Sequence, residues 1–158
     1  MTQAWTASLR RLNRVAKGKT FRERVLETRK TVTMITPEEA RRRLEAGGVT
    51  LIDVGEEWQL LERGTIPGAR NISRGELEIK ADTEEERRDP AFEDRAQPII
   101  LTCGGGGKAT LSAGALLEMG FTNVSVIQGG CRGWQKAGFA LEPYPAPIKG
   151  IASSRSNK

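Results

Sequence analysis

A short apolar run followed by a cysteine, four glycines and a lysine constrains this chain more than any other stretch. The run Ile99-Ile100-Leu101 shows no alternation of apolar and polar residues. It therefore predicts a strand buried on both faces, as in a parallel sheet. Apolar residues at helical spacing follow Lys108 and end at Gly120, which predicts a helix. Cys103 thus lies where a central strand ends and a helix begins, on the side of an open α/β sheet where ligands bind.

The glycines after Cys103 predict an anion-binding loop. They are Gly104, Gly105, Gly106 and Gly107. Such a run lets the backbone curl with its N–H groups pointing inward, and the start of the following helix adds positive potential at the same point. A thiolate, the nucleophilic form of cysteine, would be stabilised there. We therefore predict that Cys103 is the catalytic nucleophile and that the four glycines and Lys108 bind the substrate.

Other loops that bind phosphate or nucleotide fit this stretch poorly. A P-loop needs a glycine six residues before its lysine and Ser or Thr directly after it, where this chain has Thr102 and Ala109. A dinucleotide-binding loop needs an acidic residue after the next strand, where Gln128 stands. Phosphatase loops have one more residue than separates Cys103 from Lys108. An inert buried cysteine is the remaining alternative, and it leaves the glycines and the lysine unexplained.

The composition excludes several kinds of chemistry. The chain has 158 residues, two cysteines and no histidine, and its length suits a single domain. Without histidine, Ser/His and Cys/His catalysis and most zinc sites are excluded, so we expect no metal and no cofactor. Two cysteines without a secretory signal favour a reducing compartment, and we expect a cytoplasmic location. No apolar run approaches the roughly 20 residues of a membrane span.

The net charge of +5 is concentrated at the N-terminus. Residues 1–30 include nine basic and two acidic residues, whereas residues 31–158 include sixteen basic and eighteen acidic residues. Two basic helices are predicted there, the second over residues 20–30. The apolar face of the first consists of Trp5, Leu9, Leu12 and Ala16. A solvated or packed arm, contact with an acidic partner or a membrane surface, and organelle targeting all stay open, whereas we expect no nucleic-acid partner.

The alternation of strands and helices predicts an α/β fold with a central, mostly parallel sheet of about five strands and helices on both faces. The predicted strands are 49–54, 99–101 and 124–127. The predicted helices are 36–46, 57–63, 74–80, 108–119 and a short one within 129–138. An extended turn is expected at 66–72 and a charged surface loop or short helix at 81–97. The proline-containing tail from residue 143 is expected to be extended and then disordered.

Four motifs in this order resemble those of the rhodanese-like family of sulfurtransferases. They are Leu51-Ile52-Asp53-Val54, Gly64 to Ala69, the Cys103 loop, and the segments 119–124 and 129–138. The resemblance implies a rhodanese-like fold and a single-domain thiosulfate sulfurtransferase. It divides the chain into a basic, partly helical N-terminal extension at 1–33, a rhodanese-like domain at 34–142 and a flexible tail at 143–158. Because residues 1–30 lie outside the resemblance, we expect their deletion to leave catalysis largely unchanged.

The chain departs from the family pattern at a few positions. Gly55 replaces the usual Arg and Thr65 the usual His, while in the loop Lys108 replaces Arg and Ala109 replaces Ser or Thr. Thr110 brings a hydroxyl one residue later. These differences bear on substrate preference and rate more than on the fold.

The resemblance implies a two-step sulfur transfer. Cys103 takes a sulfane sulfur from a donor such as thiosulfate, becomes a persulfide and passes the sulfur to a thiol or cyanide acceptor. We expect a monomer or a weak dimer. Two alternatives stay open: a non-enzymatic persulfide carrier or interaction module, and a thiol redox protein that uses Cys103 with Cys131 as a second thiol. We expect Cys131 to pack, Trp134 to lie in the core or in a pocket wall, and Asp53 to cap a turn or pair with a base.

Overall fold

The computed structural model describes residues 18–146. The first predicted basic helix and the chain from residue 147 lie outside the described residues. The strands are β1 (Thr33–Ile35), β2 (Thr50–Asp53), β3 (Arg70–Asn71), β4 (Ile99–Thr102) and β5 (Val124–Ile127). The helices are α1 (Phe21–Thr28), α2 (Pro37–Ala46), α3 (Glu57–Arg63), α4 (Arg74–Ala81), α5 (Gly107–Glu118) and α6 (Gly130–Lys136), with a 3-10 helix at Pro90–Phe92.

The strands form one parallel sheet in the order β1-β5-β4-β2-β3. Its centre is β4, in which all four residues are buried. Alternate residues of each strand point to opposite faces, so Ile99 and Leu101 join one apolar cluster and Ile100 joins another. Helices α4 and α5 cover the first cluster, and α2 and α6 cover the second. The predicted α/β fold with a parallel sheet is therefore confirmed.

The two edge strands are the part of the sheet that the sequence did not predict. The three residues of β1 pair with β5, and the two residues of β3 pair with β2 within the segment expected to be an extended turn. Strands this short carry too few residues for a periodic pattern. Their conformation is decided by the hydrogen bonds that a neighbouring strand offers. The charged segment 81–97 contributes the short 3-10 helix, whose Phe92 packs edge-on against Phe121 at 5.6 Å between ring centroids.

Helix α1 is held against the body of the protein. Its N-terminus has a capping box in which the Thr20 hydroxyl accepts the Glu23 N–H and the Glu23 carboxylate accepts the Thr20 N–H. Such a box satisfies two of the N–H groups that a helix start leaves free. The helix then packs along α5, from Gly107 to Gly114. Across residues 18–146, no helix has both the length and the apolar character that a membrane span requires.

Candidate active site

Cys103 lies at the base of a tight glycine loop between β4 and α5. Cys103 is 3% exposed, and its Sγ accepts a hydrogen bond from the Gly106 N–H at 3.1 Å. Gly106 has φ 94°, a left-handed conformation that glycine adopts readily and other residues avoid. The Thr110 hydroxyl donates to the Gly106 carbonyl at 2.8 Å and joins the loop to the first turn of α5. The loop therefore presents at least one backbone donor to the sulfur.

Helix α6 closes the other side of the loop. The Cys131 N–H donates to the Cys103 carbonyl at 2.8 Å, and the Arg132 N–H donates to the Gly104 carbonyl at 3.1 Å. A Cβ on Gly130 would overlap the Cys103 carbonyl oxygen, and Gly130 has φ 60°. The close approach of α6 to the loop therefore requires glycine at position 130. These bonds hold the Cys103 and Gly104 carbonyls against α6, while the Gly106 N–H donates to the sulfur.

Lys108 is held at the wall of the site by a contact from α3. Its Nζ donates to the Gln59 Oε1 at 3.0 Å, and the same oxygen accepts the Glu56 N–H at 3.1 Å. Lys108 is half-buried and lines the same pocket of about 630 Å³ as Cys103 and the glycines. The structure thus brings together every residue that the sequence predicted for the loop.

The pocket also contains cations that the sequence analysis missed. Nη2 of Arg132, on α6, lies 3.3 Å from the place that a Cβ on Gly105 would occupy. Arg22 of α1 and Arg29, the residue after the end of α1, also line the pocket. Among the described residues that line the pocket, none is Asp or Glu. The sequence placed residues 1–30 outside the catalytic unit, whereas α1 forms part of this wall. A local signal existed only for Arg132, which follows the Gly129-Gly130 turn after a predicted strand.

A buried ion pair lies at the end of β2, beside the loop. Asp53 is 0% exposed, and Arg63 at the end of α3 donates to both of its carboxylate oxygens, at 3.0 and 3.1 Å. The carboxylate also accepts the Gly55 N–H at 2.9 Å and the Thr65 hydroxyl at 2.7 Å. Burial disfavours the charge of Arg63, but the hydrogen bonds and charge of Asp53 prevail and raise its pKa. The expectation was that Asp53 caps a turn or pairs with a base, and in the structure it does both.

This ion pair accounts for one departure from the family pattern. A Cβ on Gly55 would stand 2.8 Å from Nη2 of Arg63 and 3.0 Å from Oδ1 of Asp53. A larger residue at position 55 would therefore displace the guanidinium. The glycine leaves room for Arg63, ten residues along the chain from Asp53, to supply the positive charge at this point.

Cys131 takes part in the same cluster as a neutral thiol. Its Sγ accepts a hydrogen bond from Arg63 at 3.2 Å and lies 3.7 Å from the Asp53 carboxylate, to which it donates. Burial and the negative charge of Asp53 raise the pKa of Cys131 to about 11, although Arg63 opposes this rise. Cys131 packs in the apolar cluster of Trp134, and Cys103 packs in the other cluster. Both cysteines are free, and the Cys131 contacts agree with the expected packing role.

We predict that Cys131→Ser leaves the rate of sulfur transfer within about twofold of the wild-type rate. A serine hydroxyl can keep the contacts with Arg63 and Asp53. The Cys131 thiol also stays protonated well above pH 7, so it does not act as a nucleophile there. The measurements are steady-state turnover and the count of sites alkylated by iodoacetamide at pH 7. We expect one modified site, at Cys103. A variant that forms the persulfide but does not release it to a thiol would contradict the packing role and support a resolving thiol.

Comparison with known proteins gives a matching family model, a curated relative and two similar structures. Residues 36–137 match the family model of the Rhodanese-like domain. The thiosulfate sulfurtransferase GlpE of Actinobacillus succinogenes is 31% identical over 113 residues, 70% of this chain and 90% of that protein. A Rhodopseudomonas palustris protein of unknown function, a possible tyrosine phosphatase, has a similar structure with a TM-score of 0.72 at 25% identity, over 78% of this chain and 95% of that one. A human single-domain sulfurtransferase shares the fold with a TM-score of 0.58 at 24% identity, over 66% of this chain and 96% of that one.

Proposed function

The chain belongs to the rhodanese-like domain family, and from that premise we propose that it is a rhodanese-type sulfurtransferase that moves a sulfane sulfur from a donor such as thiosulfate to a thiol or cyanide acceptor. One observation carries the proposal. The Cys103 sulfur lies at the base of a cationic pocket, inside a glycine loop that donates the Gly106 N–H to it. This arrangement suits a reaction in which negative charge lies first on Sγ of the thiolate and then on the terminal sulfur of the persulfide.

In the first step of the proposed reaction, the Cys103 thiolate attacks the outer sulfur of thiosulfate. A bond forms between Sγ and that sulfur, and the bond between the two sulfurs of the donor breaks, so that its electron pair leaves with sulfite. Sulfite is a stable anion and leaves without a general acid, so the lack of histidine in the chain is no obstacle. Lys108 and Arg132 line the pocket and would attract the negative charge of the sulfonate.

In the second step, the terminal sulfur of the persulfide is transferred to the acceptor. The Gly106 N–H, which donates to Sγ, and the cations of the pocket would stabilise the persulfide anion. The experiment that tests the function is a thiosulfate and cyanide turnover assay combined with intact mass spectrometry of enzyme exposed to thiosulfate alone. We expect thiocyanate production and a mass increase of one sulfur atom located on Cys103. Mass gain without turnover would instead support the alternative of a persulfide carrier.

Lys108→Ala is expected to raise the KM for thiosulfate and to lower kcat/KM by about tenfold or more, because one charge-assisted contact with the donor is lost. Lys108→Arg is the matched control and should retain thiosulfate use, since it keeps the charge and adds a forked donor. Steady-state kinetics with varied thiosulfate at fixed cyanide measures both. An unchanged KM in Lys108→Ala would show that this side chain does not contact the donor.

The similarity to a possible tyrosine phosphatase makes phosphate ester hydrolysis a useful negative test of the proposal. The loop has only four residues between Cys103 and Lys108, one fewer than a phosphatase loop, and within the described part of the chain no carboxylate lines the pocket to protonate a leaving group. We expect no hydrolysis of p-nitrophenyl phosphate above background. Hydrolysis that depends on Cys103 would assign a different reaction to the loop.

A further inference from the structure

Helix α1 lies outside the residues that match the family, yet it is fitted closely to α5. Gly107 and Gly114 are seven residues apart on α5, and therefore lie on the same face of that helix. A Cβ on Gly107 would stand 2.9 Å from Cζ of Phe21 and 3.6 Å from Cγ2 of Val25, and a Cβ on Gly114 would stand 2.7 Å from Cγ2 of Thr28. The two glycines thus form the groove in which α1 lies.

This placement makes α1 part of the pocket over Cys103. Four residues of α1 line the pocket, together with Arg29, which follows the end of the helix. The four are Phe21, Arg22, Val25 and Leu26. Phe21 is 59% exposed and Leu26 is 48% exposed, so the helix faces the opening with apolar side chains as well as cations. The first residue of α5, Gly107, belongs both to the catalytic loop and to the groove for α1.

The size and charge of the pocket indicate that it can bind a ligand larger than thiosulfate. A volume of about 630 Å³ is typical of sites for organic ligands, and thiosulfate has only five atoms. Residues of α1 line the same pocket, and Arg22 and Arg29 add two cations to those of Lys108 and Arg132.

We propose that α1 is a wall of the active site and that Arg22 and Arg29 select thiol acceptors that carry a negative charge. The proposal rests on the proposed function, because it concerns the second step of the sulfur transfer. The acceptor thiolate forms a bond with the terminal sulfur of the Cys103 persulfide, and the bond between that sulfur and Sγ breaks. Its electron pair returns to Sγ, so that the products are the acceptor persulfide and the Cys103 thiolate, and no other reactant is needed.

The test follows the second step alone. The full-length protein is loaded with thiosulfate, freed of excess donor, and shown by intact mass to carry one added sulfur. It then receives one of three thiols of similar size: 3-mercaptopropionate, which is an anion, 2-mercaptoethanol, which is neutral, or cysteamine, which is a cation. Loss of the added sulfur is timed by mass spectrometry in 0.15 M salt, and each rate is expressed per thiolate. Wild-type protein should react fastest with the anion and slowest with the cation.

The charge of α1 is tested with Arg22→Gln combined with Arg29→Gln. We expect the rate with 3-mercaptopropionate to fall by about three- to tenfold, because two partly screened charges are lost, and the rate with 2-mercaptoethanol to change by less than about twofold. Arg24→Gln is the control on the same helix, since Arg24 lines a different pocket, and it should keep the wild-type selectivity.

The position of α1 is tested separately, at a site remote from the loop. Gly114→Ala should push α1 outward through Thr28 and weaken the preference for the anionic thiol, whereas Gly114→Ala with Thr28→Ala should restore it, because the second change removes the methyl group that the new Cβ meets. Circular dichroism should show that both variants are folded, since alanine favours the helix at position 114.

The outcomes separate this inference from the proposed function. If thiosulfate adds no sulfur to Cys103, the proposed function is wrong and the inference fails with it. If the persulfide forms but wild-type protein treats the three thiols alike, or the arginine variant keeps the anion preference, then sulfur transfer stands and the role of α1 is wrong. Equal selectivity in Gly114→Ala and in the double variant would likewise show that the seating of α1 has no part in acceptor choice.

Discussion

Cys103→Ser is expected to abolish sulfur transfer and to leave the fold intact. A serine oxygen at this position cannot form a persulfide, and Cys131, the other thiol of the chain, is buried in a different cluster with a raised pKa. The rate should fall by a factor of about 10³ or more, to the background reaction, as is usual when the nucleophile of a covalent mechanism is removed. Thiocyanate formation from thiosulfate and cyanide measures the loss.

Two further measurements make this prediction specific. The intact mass of Cys103→Ser should not increase after exposure to thiosulfate, and its midpoint of thermal unfolding should stay close to that of the wild type, since oxygen is smaller than sulfur and the Gly106 N–H can donate to either. Cys131→Ser serves as the matched control, because it makes the same chemical change at the other cysteine. Substantial turnover by Cys103→Ser would overturn the persulfide mechanism.

Asp53→Ala is expected to cause the largest loss of stability among single substitutions near the site. It leaves Arg63 without its carboxylate, and it also leaves the Thr65 hydroxyl and the Gly55 N–H without their acceptor. Breaking one member of a buried pair costs about 3–5 kcal/mol of the free energy of unfolding. The Arg63 side chain keeps 23% exposure, so we expect the lower end, about 3 kcal/mol. Such a loss is a large part of the total stability of a typical domain, about 5–15 kcal/mol.

Urea unfolding followed by circular dichroism measures this change. Glu45→Ala is the control, because it removes an exposed ion pair with Arg41 on α2, and it should shift the midpoint far less. The double variant of Asp53→Ala with Arg63→Ala should recover part of the loss, since it no longer leaves a half-buried guanidinium unpaired. An Asp53→Ala protein that is as stable as the wild type would show that the pair makes no net contribution to the fold.

The Asp53–Arg63 pair is connected to the Cys103 loop through helix α6. The Asp53 and Arg63 pair lies beside the loop, and Arg63 contacts Cys131 on the helix whose backbone N–H groups hold the Cys103 and Gly104 carbonyls. Loss of the pair should therefore also disturb the loop. We expect Asp53→Ala to have lower activity for two reasons: a smaller fraction of the protein is folded, and the loop in the folded protein is distorted.

The sequence by itself determined the central unit of this protein. The unbroken apolar run of β4, the glycines after Cys103 and the helical spacing of α5 are local patterns, and each depends on residues that are close along the chain. They sufficed to predict a parallel α/β fold, a nucleophile at the carboxyl end of the central strand and an anion-binding loop. The buried strands followed from their apolar runs, and the helices that cover them followed from the helical spacing of their apolar residues.

The tertiary structure alone decided the features that depend on contacts between distant residues. The edge strands β1 and β3 are too short to have a pattern of their own and form because β5 and β2 offer hydrogen bonds. Arg63 meets Asp53 only because Gly55 leaves it room, and Cys131 becomes a neutral, buried thiol only beside them. Helix α1 joins the active site because two glycines of α5 receive it. The sequence shows that a glycine has no side chain of its own, but only the folded structure shows which other side chain packs against it.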